Sequence, residues 1–133
     1  EYAWGIGKDV YVPVVPPGKG LLHHVRVTWR TQWREGAFGI SEPVIEDPAD
    51  VITESSFFGP ESAIIVPLVA FDRQCHRLGY GKGYYDRFLA GSTAASIGIA
   101  YELQRLPSVA AEPHDVPLTC VATNERWYVP STP

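Results

Sequence analysis

Apolar and polar positions along the chain fall into short blocks, and most of these blocks predict strands. Asp9–Val15 (DVYVPVV) is rich in β-branched residues and stops at Pro16-Pro17-Gly18, which predicts a strand. His23–Thr28 (HHVRVT) alternates and predicts its neighbour. Thr31–Gly36 reads as one short helical turn, followed by a loop through Phe38-Gly39-Ile40. From Glu42 to Glu61 the chain is acidic, contains proline and lacks periodicity, so it reads mostly as surface loop. Ser62–Phe71 (SAIIVPLVAF) is a continuous apolar run, the mark of a strand covered on both faces, with Pro67 bending or ending it. A turn over Asp72–Arg77 leads into Leu78-Gly79-Tyr80-Gly81-Lys82-Gly83. Tyr84–Ala90 (YYDRFLA) has helical spacing and stops at Gly91. Ala95–Tyr101 and Leu118–Thr123 are further core strands, joined by a polar connection over Pro107–Pro117, and Trp127–Val129 adds an edge strand. Strands separated by long or helical connections predict an α/β fold: a three-layer sandwich around a mainly parallel sheet, as one domain over 1–133. In such sheets ligands sit at the carboxyl ends of strands, which puts the glycine-rich segment at the end of the Ser62–Phe71 strand.

Composition narrows the function classes. With 45% hydrophobic and 20% charged residues in 133, the chain can bury a real core and is not a disordered segment. A net charge of −4 supplies no basic footprint for nucleic acid. No apolar stretch reaches membrane-spanning length, and no signal-peptide pattern opens the chain. Two cysteines, Cys75 and Cys120, make no disulfide framework, and a reduced, cytoplasmic setting is the simpler reading. The chain contains no Met and begins Glu1-Tyr2-Ala3-Trp4, which reads as a fragment of a longer protein. His23-His24 and the Cys75-His76-Arg77 stretch lack metal-ligand spacing, and no Ser/His/Asp ordering stands out as a triad.

The chemistry concentrates in one segment. Gly79, Gly81 and Gly83 alternate between an apolar strand and a helix. Glycine permits positive φ and close backbone approach, and successive N–H groups with a helix start make an anion site. Lys82 within the loop and Arg77 before it add positive charge suited to a polyphosphate. The spacing G-x-G-x-G fits neither the dinucleotide fingerprint nor the P-loop, and Tyr84 stands where a P-loop offers Ser or Thr. On the glycines alone, a flexible strand-to-helix turn is an equal reading.

The longer pattern decides between them. Leu68-Val69-Ala70-Phe71-Asp72, followed by Arg77-Leu78-Gly79-Tyr80-Gly81-Lys82-Gly83-Tyr84-Tyr85-Asp86-Arg87, closely resembles the signature of 5-formyltetrahydrofolate cyclo-ligases, also called methenyltetrahydrofolate synthetases. Val12-Pro13-Val14 and Phe38-Gly39-Ile40-Ser41-Glu42-Pro43 upstream, with Ile97–Tyr101 and His114–Leu118 downstream, are similar to further family segments in the same order. The resemblance implies conversion of 5-formyltetrahydrofolate and ATP to 5,10-methenyltetrahydrofolate, ADP and phosphate. It implies that Arg77, Leu78, Gly79, Tyr80, Gly81, Lys82, Gly83, Tyr84 and Tyr85 hold the nucleotide, with Lys82, Arg77 and Tyr80 in the catalytic role. It further implies Asp86 and Asp115 as Mg²⁺ ligands, and Trp33, Phe38 and Tyr84 beside a reduced folate. Some family members carry Arg at the position of Tyr80. The family's N-terminal helical region has no counterpart here, so the sheet is expected to expose a face or edge which that region would cover.

Each of these residues has a plainer alternative. Asp86 in a first helical turn favours the helix dipole, and Asp115 suits a Pro-flanked turn. Tyr80, Tyr84 and Tyr85 can be packing residues, and Trp33 and Phe38 can be loop aromatics over a core edge. Three functional readings follow: an ATP-dependent cyclo-ligase, a non-catalytic nucleotide-binding or regulatory module, and a family paralogue with another substrate. The oligomeric state leaves no mark on the sequence.

Overall fold

A computed structural model describes every residue except Pro17, Lys19, Ala37, Phe38, Thr132 and Pro133. The chain forms two compact units, Glu1–Glu54 and Ser55–Pro133. Among the described residues no helix is long and apolar enough to cross a membrane.

The first unit is antiparallel. It opens with a short helix α1 (Tyr2–Gly5), for which the apolar pattern gave no signal, and whose Trp4 indole donates to the Val27 carbonyl. Strand β1 (Val10–Val14) pairs with β2 (His23–Val27), running from Val10 opposite Val27 to Val14 opposite His23. β1 lies at the edge of this sheet, which explains how Pro13 is accommodated without its ladder donor. Val25 and Val27 point into the core while Arg26 points out to an ion pair with Asp9. Two predictions fail here. Thr31–Gly36 is not a helical turn, because Trp33–Glu35 forms β3 and pairs with β4 (Ser41–Pro43). Nor is Glu42–Glu61 mostly loop: it holds part of β4, strand β5 (Val51–Ile52) on β2, and two 3₁₀ turns, the first capped by Asp47. These strands have two or three residues, too short to show a period in the sequence.

His24, paired in β2 and buried among apolar neighbours, is held neutral. Burial drives its pKa from the ordinary 6.5 down to about 4, assisted by the neighbouring His23 and opposed by a hydrogen bond involving the Leu22 backbone. Between these values the unfolded chain takes up a proton that the folded chain refuses, so stability falls as pH drops through this window. The total loss comes to about 3 kcal/mol. Urea unfolding at pH 7 and at pH 4.5 is expected to show the loss in the native protein and less of it in His24→Gln. An equal loss in both would remove His24 as the cause.

The second unit holds a four-stranded mixed sheet of order β11-β10-β9-β6. β6 (Ala63–Val66) and β9 (Ala95–Ile99) run parallel, as do β9 and β10 (Cys120–Ala122), while β11 (Trp127–Tyr128) closes the edge antiparallel. The sequence places β9, β10 and β11 to within two residues. The Ser62–Phe71 run ends where Pro67 marks it, as expected, but it is not covered on both faces. β6 ends before Pro67, which cannot donate to a ladder, and the chain resumes as β7 (Ala70–Phe71) in a hairpin with β8 (Arg77–Leu78). Only one face of β6 is buried: Ile64 and Val66 point in, whereas Ile65 is 55% exposed. Gly98 leaves room on the inner face for Leu68, Leu118 and Val121, whose side chains lie 2.7 to 3.2 Å from where its Cβ would stand. Helix α2 (Tyr84–Ala90) occupies the predicted residues, stops at Gly91 and buries Phe88 and Leu89.

Candidate functional site

The site grows from the β7–β8 hairpin. Asp72 begins its turn, and the carboxylate satisfies four donors around it: Oδ1 accepts from the N–H of Gln74 at 2.9 Å and of His76 at 3.1 Å. Oδ2 accepts from the Val109 N–H at 3.0 Å and faces the His76 ring Nδ1 at 3.2 Å. Burial acts to raise the Asp72 pKa, but the hydrogen bonds from Val109, His76 and Gln74 outweigh it and leave the carboxyl below its usual range. Cys75 completes the turn at φ +62, fully buried, with its thiol pushed up to about 11 by burial. A thiol so placed is inert packing rather than a nucleophile.

Strand alternation then sends Arg77 inward and Leu78 outward. The Arg77 side chain is only 6% exposed; Nη2 lies 3.1 Å from Asp86 Oδ1, and Cζ stands 5.8 Å from the Tyr85 ring centre. Burial raises the Tyr85 pKa, with Arg77 pulling the other way. Arg77 Nη1 lies 2.5 Å from where a Cβ on Gly79 would stand, so a side chain at position 79 would push the guanidinium from this seat. Arg77 Nε is buried and has no hydrogen-bond partner among the described residues.

The segment Gly79–Gly83 leaves the hairpin and enters α2 through Gly81 at φ +85 and Gly83 at φ +66, conformations that disfavour a side chain. None of its five N–H groups donates to another described group. Lys82 and Tyr80 are exposed, Tyr80 at 77%. Arg87, one turn into α2, donates from Nη1 to the Lys82 carbonyl at 3.1 Å and stacks 5.2 Å from the Tyr84 ring centre. The hairpin, loop and helix therefore bring Arg77, Gly79, Tyr85 and Asp86 together, with Lys82 and Tyr84 alongside. The loop follows the hairpin instead of following the Ser62–Phe71 strand directly.

Asp115 makes its contacts within its own turn. Asp115 closes a turn with Glu112: its Oδ2 accepts from the Glu112 N–H at 2.7 Å, and its own N–H donates to the Glu112 carbonyl at 2.9 Å. His114 stands between the two carboxylates, at 3.3 and 3.7 Å. Trp33 is 51% exposed on β3 of the first unit, and Phe38 lies outside the described residues. Among the described residues no group of three His, Cys, Asp or Glu side chains could hold a metal ion. Mg²⁺ needs few protein carboxylates when phosphate oxygens and waters complete its shell. Asp86, engaged only through Oδ1, has an oxygen to offer such an ion. Sequence reasoning missed Asp72 and Arg87. An Asp opening a hairpin turn is the signal for the first, since its side chain can cap the amides that follow.

Fold and site together define an α/β protein in which a hairpin-borne arginine and an open glycine-rich loop precede a short helix. The chain belongs to the 5-formyltetrahydrofolate cyclo-ligase family, whose pattern matches residues 1–124. It is similar to a 5-formyltetrahydrofolate cyclo-ligase of Haemophilus influenzae, 35% identical over 86% of this chain and 61% of the relative. A second, from Escherichia coli K12, is 34% identical over 95% and 69%. Among solved structures, the 5,10-methenyltetrahydrofolate synthetase of Aquifex aeolicus superposes with a TM-score of 0.67 at 34% identity, covering 92% of this chain and 58% of that one. The chain thus spans about six-tenths of the length of several relatives it matches.

Proposed function

We propose that this protein closes 5-formyltetrahydrofolate to 5,10-methenyltetrahydrofolate with ATP, releasing ADP and phosphate. The observation that carries the reading is the buried Arg77 side chain, whose Nε has no partner among the described residues, beside five loop N–H groups with no acceptor among them either. A buried donor such as Nε is normally satisfied, and an anion entering from the solvent-exposed loop could take it together with the open loop N–H groups. In this reading Arg77, Lys82 and the Gly79–Tyr85 backbone neutralise and orient the polyphosphate, with Tyr80 at the rim. Asp86 and Asp115 hold Mg²⁺, which would draw charge from the phosphate oxygens. Tyr84 stands beside the reduced folate. The formyl oxygen takes the phosphoryl group, N10 closes the ring, and phosphate departs with that oxygen. Positioning and charge neutralisation are what such a transfer asks of the protein.

The three-layer, mainly parallel architecture and a cytoplasmic setting belong to the same reading. The parallel β6-β9-β10 core supports it, as does an outward face carrying Ile65, Ile99 and Trp127 at 55 to 66% exposure, which a further layer would cover.

The test joins turnover to binding. Absorbance should report 5,10-methenyltetrahydrofolate when the protein meets 5-formyltetrahydrofolate and Mg-ATP. Lys82→Ala and Asp86→Ala should each weaken Mg-ATP binding by roughly tenfold. Native affinity in both variants would remove the nucleotide from this loop, and binding without turnover would point to a nucleotide-binding module.

A further inference from the structure

We propose that Asp72 is a positioning residue for the metal-binding part of the site, acting through the Val109 amide. The inference rests on the reading above in which Asp115 serves Mg²⁺. The connection carrying Asp115 is tied at both ends to one five-residue hairpin tip. At its start the Val109 N–H donates to Asp72 Oδ2 at 3.0 Å, and at its end the Leu118 N–H donates to the Cys75 carbonyl at 3.0 Å. Between these ties no other hydrogen bond holds residues 110–117 to the rest of the described chain; the Glu112–Asp115 pairing is internal to the turn. The next anchor upstream is the Leu106 N–H on the Phe71 carbonyl at 2.8 Å.

The same carboxylate, through Oδ1, organises the turn that presents Arg77 on β8. One buried side chain, 5% exposed as a residue, therefore sets both the strand that carries the guanidinium and the segment that carries the second metal carboxylate. Its two oxygens divide the work. Oδ1 serves the hairpin amides, while Oδ2 faces the His76 ring and serves Val109, itself buried at 8%, where an N–H deprived of its acceptor is costly to keep in place.

That division makes the idea testable. Asparagine in the turn keeps an acceptor oxygen for the Gln74 and His76 amides but presents an NH₂ group to the Val109 N–H, so it breaks one tie and spares the other. ATP affinity would be measured by calorimetry with Mg²⁺ and again with EDTA, in the native protein and in Asp72→Asn. The expected result is a loss of roughly tenfold with Mg²⁺ and less than about twofold without it. His76→Ala removes the ring from Oδ2 and leaves the Val109 tie intact, so both affinities should stay native. If Asp72→Asn does not fold, Val109→Pro deletes the donor instead and must give the same Mg²⁺-selective loss.

Equal losses with and without Mg²⁺, tracking lost thermal stability, would reduce Asp72 to a scaffold residue and overturn the proposal. Native affinities in the folded variant would overturn it as well. A native protein that binds ATP in neither condition would instead overturn the reading on which it rests.

Discussion

Replacing Arg77 by alanine is expected to lower ATP affinity by about a hundredfold and also to destabilise the second unit. Both effects follow from one guanidinium. Its loss removes a charge-assisted donor from the phosphate path, an interaction of about 1.5–3 kcal/mol. It also strands Asp86, whose side chain is 18% exposed, without its counter-charge. Removing one partner of a buried pair costs about 3–5 kcal/mol, and the partial exposure here places the effect near the lower end. Arg77→Lys should recover little, because an ammonium cannot lie flat against Gly79 while reaching Asp86. The double variant Arg77→Ala/Asp86→Ala separates the two roles. Removing both charges should restore much of the stability, measured by urea unfolding, and none of the nucleotide affinity. An Arg77→Ala protein that folds and binds ATP as the native one does would end the phosphate role of Arg77.

Phe71→Ala should be the most destabilising core change, at about 3–5 kcal/mol. The ring is fully buried, packs edge-on against Tyr128 at 5.3 Å between centres, and sits where β7 meets Arg105 in a parallel bridge. Its backbone also receives the Leu106 N–H. A cavity at this point loosens the hairpin that carries Arg77, so nucleotide affinity should fall together with the unfolding midpoint. A loss below about 1 kcal/mol in urea would show that the neighbouring side chains close the gap.

The candidate site was largely legible because its parts are neighbours in the chain. Arg77, the glycines, Lys82, Tyr85 and Asp86 lie within ten residues, and each has a local reason to be where it is. The glycines at 81 and 83 adopt the positive φ that their type permits, and Tyr84–Ala90 follows helical spacing to a glycine stop. Asp72 was not legible as more than a turn residue, because its partner Val109 lies thirty-seven positions away. The Arg77–Asp86 pair was also invisible: both were assigned to ligands, and only folding showed that they hold each other.

The same division runs through the fold. Alternation, β-branched content, proline and glycine placed β1, β2, β9, β10, β11 and α2 near their observed limits, and the run of motifs identified the family. These signals are local, arising from backbone sterics and from which side of an element meets water. Strand pairing lay beyond them. The sequence did not suggest that Trp33–Glu35 pairs with Ser41–Pro43, and although Pro67 marked the break in the Ser62–Phe71 run, nothing there showed the hairpin beyond it or the face left open. Short strands carry too few residues to show a period, and their stability comes from hydrogen bonds and side-chain contacts with residues elsewhere in the chain. Those contacts, together with the buried carboxylate that links the hairpin to the Asp115 connection, exist only once the chain has folded.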